Sequence, residues 1–122
     1  MSAGEIDLAR VICRLADLGE GRCHEFRLPG GGEHADAFVL ASGGAVRAYV
    51  NRCAHLALRL NLLPGRFLTH DGSMILCTAH GAIFEKSTGL CVAGPCVGRA
   101  LTPVAVEVVG DCVQLAAGAA AG

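Results

Sequence analysis

The sequence predicts an all-β domain, and three of its features carry that prediction. Glycine occurs 17 times in 122 residues, and the apolar segments between glycines are short, as in strands joined by turns. Residues 45–51 alternate, with Val46, Ala48 and Val50 on one side and Arg47, Tyr49 and Asn51 on the other, which describes a half-buried strand. Val104, Val106 and Val108 repeat that period, Gly110-Asp111 supplies a tight turn, and Val113 and Leu115 share a face beyond it, so residues 104–115 read as a hairpin.

Along the chain, residues 22–28 and 38–40 are the first strands, on either side of a loop containing Gly30, Gly31 and Gly32. Ser42-Gly43-Gly44 turns the chain into the strand at 45–51. Leu56, Leu60 and Leu63 have helical spacing, but Pro64-Gly65 follows at once, and 56–63 reads as a leucine-lined loop. Residues 74–77, entered through Asp71-Gly72, are a continuous apolar run of the kind found in buried strands. A segment at 1–9 thus precedes a single domain at 10–116, followed by an Ala/Gly tail at 117–122 that has nothing to bury. Fraying is expected from Ala116 onward.

A chain of this length has room for one core, burying roughly two-thirds of the surface exposed when unfolded. With 10 basic and 11 acidic residues and a net charge of -1, it has no electrostatic footprint for nucleic acid. Proteins or small molecules are the expected partners. There is no apolar run of about 18 residues and no charged-then-apolar leader, so a cytoplasmic protein without a membrane span is expected. The seven cysteines are odd in number, which in a reducing compartment favours metal-binding or buried thiols over a disulfide framework. Cys13, Cys23 and Cys112 are expected to be buried packing residues. His24, His34 and His70 have no partner at ligand spacing and are expected at the surface or at strand edges.

Four residues stand apart from this inventory. Cys53-x-His55 is followed, after 21 residues, by Cys77-x-x-His80, and each pair comes directly after an expected strand. Two such turns face to face gather two thiolates and two imidazoles around one centre. Either a tetrahedral zinc site or a two-iron cluster uses that set. Zinc knuckles usually separate two ligands by two to four residues so that both reach one metal, and Cys-x-His is tighter than that. In a dinuclear cluster the Cys and the His of one loop bind different irons and need not converge, so the spacing favours the cluster.

The pattern resembles that of Rieske-type [2Fe-2S] proteins, in particular the small soluble ferredoxin-like members. The resemblance covers about residues 45–115. It implies an antiparallel β-sandwich or barrel with a cluster-binding subdomain of two facing loops at about 51–98. It also implies that Cys53 and Cys77 bind the inner iron, and His55 and His80 the outer, exposed one. Gly81, Phe84 and Gly94-Pro95 match the family as well, in which a proline-bearing loop covers the cluster; Leu56, Phe84 and Pro95 are expected to keep water from its sulfurs. The chain departs from the family at Ala57, where many members have Gly. Leu58 and Ala79 replace the cysteines that form a disulfide in the Rieske proteins of cytochrome bc complexes. Ala82 and Phe84 stand where those proteins place a Ser and a Tyr whose hydroxyls bond the cluster sulfurs.

Charge counting gives the histidines a role. Two ferric ions, two sulfides and two thiolates sum to zero, whereas four thiolates leave a negative centre that is harder to reduce. Imidazole ligation accordingly raises the potential to roughly -150 to +300 mV, against about -400 mV for plant-type ferredoxins. Without hydroxyl donors at 82 and 84, the low end of that range is expected. The leading reading is a one-electron carrier that holds one [2Fe-2S] cluster and serves a reductase, an oxygenase or another oxidoreductase, with no independent catalysis. The alternatives are a cluster-based redox sensor or interaction module and a structural zinc domain. Cys91 and Cys96, flanking Val92-Ala93-Gly94-Pro95, are read as a labile disulfide, a redox-sensing pair or plain packing. Arg52, Arg59, Arg66 and Arg99, in or beside the loops, are read either as a positive docking surface or as scattered solvated charges.

Overall fold

The computed structural model describes residues 10–18, 23–28, 36–42, 44–52, 60, 67–69, 72–77 and 81–116. Within them lie nine strands: β1 (Val11–Arg14), β2 (Cys23–Arg27), β3 (Asp36–Ser42), β4 (Ala45–Val50), β5 (Met74–Leu76), β6 (Ile83–Glu85), β7 (Cys91–Ala93), β8 (Val106–Val109) and β9 (Cys112–Leu115). A single 3-10 turn, Leu15–Asp17, follows β1. The strands form three antiparallel three-stranded sheets, ordered β1-β9-β8, β2-β3-β4 and β5-β6-β7. The all-β expectation holds.

The middle strand of the second sheet explains how the three sheets meet. Ala37, Phe38, Val39 and Leu40 of β3 are all buried. Phe38 and Leu40 join a core with Tyr49, Leu60, Phe67, Ile75, Cys77 and Phe84. Val39 packs instead with Cys13, Ala48 and Val113, and Ala37 with Leu28 and Leu115. One face of β3 therefore meets the first sheet and the other meets the third, which is why this segment is apolar throughout and carries no alternation. The Phe38 ring stacks on Phe67 at 4.2 Å and 13°.

The same cover alters the reading of 45–51. Tyr49 and Asn51, on the side opposite Val46, Ala48 and Val50, are buried, Tyr49 within the Phe38 core, and of the three residues on that side only Arg47 stays exposed. The Tyr49 hydroxyl donates to the Lys86 carbonyl at 2.8 Å, and burial holds its pKa above the ordinary tyrosine value.

The expected hairpin is present as β8 and β9, pairing Val106 with Leu115 and Val108 with Val113. Val113 and Leu115 are buried as expected, but Val108 stands on an edge strand and remains 44% exposed. Gln114, on the opposite face of β9, is fully buried and its Nε2 donates to Glu107 Oε2 at 2.7 Å. Val104 precedes the strand, and its N–H donates to the Ala48 carbonyl, tying the hairpin to β4. Ala116 is not frayed: its N–H donates to the Ala105 carbonyl at 3.0 Å. The segments 1–9 and 117–122 and the triple-glycine loop lie outside the described residues.

Of the cysteines expected to be buried, only Cys13 is. Cys23 begins the edge strand β2 and Cys112 leaves the hairpin turn, so both keep partial exposure. Burial pushes the Cys13 thiol up to about 11, aided by the Asp17 carboxylate. The Cys23 thiol, packed against the Phe38 core, is pushed up to about 12, again by burial and against the pull of Lys86. No helix among the described residues is long and apolar enough to cross a membrane.

Candidate metal centre

Of the four residues singled out as ligands, Cys77 is described; Cys53, His55 and His80 lie outside the described residues, as does Leu56. The frame that carries them is defined on three sides.

The first side is the β5–β6 hairpin. Met74, Ile75 and Leu76 pair with Glu85, Phe84 and Ile83, and the ladder continues as the Cys77 N–H donates to the Ala82 carbonyl at 2.8 Å. The Gly81 N–H then donates back to the Cys77 carbonyl, also at 2.8 Å, closing the base of the segment that contains His80. Gly81 has φ +74°, a left-handed value that glycine adopts without strain. Cys77 is fully buried at the mouth of this turn. Its neighbours Ala82 and Phe84 are fully buried too and bring no hydroxyl.

The second side is Asn51, whose role the sequence reading missed. Its backbone N–H donates to Asp36 O at 2.8 Å, and its buried side-chain Oδ1 accepts the Leu60 N–H at 2.8 Å. Residues 51 and 60 bracket the stretch that carries Cys53 and His55, so this one amide fastens both ends of it. The available signal was an amide side chain at the end of an apolar strand, directly ahead of a Cys-x-His pair. Leu60 is fully buried in the Phe38 core, an anchor for the leucine-rich stretch.

The third side is the turn after β7. Gly94 has φ +93°, and a Cβ placed on it would lie 2.8 Å from Ala82 Cα and 3.1 Å from the Gly81 carbonyl oxygen. The proline-bearing loop thus rests on the backbone that immediately follows His80. Pro95 itself is exposed. Cys91 and Cys96, at the two ends of this loop, are brought together with 2.9 Å between their sulfurs, and Cys91 Sγ donates to the Ala93 carbonyl at 3.2 Å. His24 lies partly buried in β2, whereas His34 and His70 lie outside the described residues. Arg99 is exposed and Arg52 partly buried; Arg59 and Arg66 are outside the description.

A family model described as the Rieske [2Fe-2S] domain matches residues 9–113. No curated protein sequence matches the chain. Among solved structures, the ferredoxin of carbazole 1,9a-dioxygenase from Nocardioides aromaticivorans IC177 superposes with a TM-score of 0.67 at 27% identity, covering 88% of this chain and 94% of that one. A chain in the complex of reduced oxygenase and oxidized ferredoxin in carbazole 1,9a-dioxygenase gives 0.69 at 26% identity, covering 91% of each. The terminal oxygenase of carbazole 1,9a-dioxygenase from Novosphingobium sp. KA1 shares the fold over 27% of its length, with a TM-score of 0.67, 21% identity and 84% of this chain covered.

Proposed function

Since the chain belongs to the Rieske [2Fe-2S] domain family, we propose that it is a one-electron carrier whose cluster is held by Cys53, His55, Cys77 and His80. The observation that carries this reading is the coverage of the ferredoxin match: nearly all of this chain aligns with nearly all of a stand-alone ferredoxin.

The described residues fit such a cluster. A thiolate ligand belongs in a dry, fixed position, and Cys77 is fully buried where two backbone hydrogen bonds close its turn. The Asn51 amide holds the ends of the other loop, and Gly94 sets the proline loop against the second one. When bound, the cluster accepts and releases one electron, at a potential raised by its two imidazole ligands. The residues of this chain fix the ligand loops and keep the sulfur end within the apolar core. Ala82 and Phe84 offer no side-chain donor, so the midpoint potential is expected in the low part of the Rieske range; a measured value well above zero would contradict that.

The partner we assign is the oxygenase of a dioxygenase system, because both ferredoxin matches come from carbazole 1,9a-dioxygenase, one of them in complex with its oxygenase. We place the protein in the cytoplasm, consistent with its odd cysteine count. Low-temperature EPR of the dithionite-reduced protein, with iron and zinc analysis, tests the proposal. A rhombic signal with average g below that of all-Cys clusters, and two irons per chain, is expected. A silent spectrum with one zinc per chain would overturn it.

A further inference from the structure

Cys91 and Cys96 have no part in the ligand set, and their arrangement is specific. Their sulfurs lie 2.9 Å apart, about 0.9 Å beyond a disulfide bond. Both residues are only 2% exposed. The backbone around them is already closed: the Cys91 N–H donates to Arg99 O at 2.8 Å and the Arg99 N–H to Cys96 O at 2.9 Å. Within residues 94–100, Cys96 is the one buried side chain; every other residue there is exposed, so the turn that carries it lies at the surface.

We propose that Cys91 and Cys96 form a reversible intrachain disulfide, a two-electron redox site built into the loop that rests on the second ligand turn, with a hydroperoxide as the oxidant. Hydrogen peroxide is small enough to reach a buried thiol on a surface turn. The thiolate of Cys96 attacks one peroxide oxygen, the O–O bond breaks, and water leaves with the thiol proton, giving a sulfenic acid. The sulfur of Cys91 then attacks the sulfenic sulfur, forming the S–S bond and releasing the hydroxyl as a second water. In sum, two thiols and one peroxide give one disulfide and two waters. A dithiol reductant reverses the change by exchange.

The loop between these sulfurs contains Gly94, which has no free space toward Ala82 and Gly81. Drawing the sulfurs together therefore displaces a loop seated against the backbone beside His80, so the disulfide state is coupled to the cluster's midpoint potential. This coupling rests on the cluster assignment above; disulfide formation does not.

The sequence supplies a clean assay. Trypsin cleaves after Lys86 and Arg99, and the peptide 87–99 contains Cys91 and Cys96 and no other cysteine. The cluster-loaded protein, first reduced with dithiothreitol, is treated with hydrogen peroxide, quenched in acid, alkylated with iodoacetamide and digested. A peptide lighter by two hydrogens and free of alkyl groups, appearing while the visible absorption and iron content persist and lost again after dithiothreitol, is expected. A peptide that still takes up two alkyl groups overturns the disulfide, as does one oxidised only to sulfinic acid. Formation only after the cluster absorption has gone also overturns it, since the bond would then belong to a collapsed state. Iron content and EPR on the same sample report separately whether the cluster assignment stands. A midpoint potential that shifts on peroxide treatment in the natural protein but not in Cys91→Ser supports the coupling; an unmoved potential in a protein shown to carry the disulfide removes it.

Discussion

Two hairpins of this protein are built alike and specified differently. The β8–β9 hairpin pairs four residues with four and reverses at Gly110-Asp111; Val113, Gln114 and Leu115 are buried on its inner strand. The β5–β6 hairpin pairs only three with three, and its reversal from Cys77 to Gly81 contains two of the proposed ligands, Cys77 and His80. Side-chain burial and turn chemistry suffice for the first. The second is held by two backbone hydrogen bonds and a close glycine contact, and under the ligation proposed above metal binding would add to its local order.

The largest effect that sharpens this contrast is expected at Cys77. Cys77→Ser should lower iron retention by more than the roughly 10- to 100-fold typical of partners that only support a ligand. Val113→Ala, at the other hairpin, should cost about 1–3 kcal/mol of stability and leave iron content unchanged. Iron and sulfide analysis beside denaturant titration measures both, and full iron retention in Cys77→Ser would erase the distinction. Gly94→Ala comes next: it places a methyl 2.8 Å from the Ala82 backbone at φ +93°. A loss of about 2–4 kcal/mol, from overpacking and left-handed strain together, is expected, with an altered visible spectrum. An unchanged spectrum would mean that the proline loop does not seat on the second turn. Asn51→Ala removes the acceptor of a buried N–H and should cost about 1–3 kcal/mol, read as a lower denaturation midpoint of the cluster-loaded protein.

The scaffold itself should respond to pH. The ordinary thiol value is 9.0, and Cys13 and Cys23 are raised to about 11 and about 12. Above pH 9 the unfolded thiols lose protons that the folded chain retains, so the stability these sites contribute is complete below pH 9 and declines as pH rises through 11 and 12. Unfolding titrations from pH 8 to 11 should show this decline, and Cys23→Ala should flatten it; an equal slope in the variant would contradict the assignment. The smallest effect is reserved for the exposed Val108: Val108→Thr should stay within about 0.5 kcal/mol.

The contrast also accounts for what could be read in the sequence. The β8–β9 hairpin, β4 and β5 were legible because they carry alternation, a continuous apolar run or a Gly-Asp turn. β6 and β7 were not: strands of three residues offer too few positions for a period to emerge, and their pairing is set by a glycine turn and by contact with the adjoining sheet. β1 was missed as an edge strand with one buried residue, Cys13. At the centre, residue types and spacing singled out the proposed ligands, of which the described residues include Cys77. The supports were not: the bond from Asn51 to Leu60 spans nine positions, and the seat of Gly94 on Ala82 joins segments twelve residues apart. The 2.9 Å approach of Cys91 and Cys96 likewise depends on how the turn folds back.

Because β3 supplies Phe38 and Leu40 to one core, Val39 to a second and Ala37 to a third, it is common property of both halves of the molecule. Amide hydrogens along β3 should accordingly exchange most slowly, opening only in global unfolding. Stripping the cluster should accelerate exchange at β5, β6 and β7 while leaving β9 protected. The domain would then behave as two foldons with a shared wall, in which the redox end can loosen or re-form without dissolving the platform on which it stands.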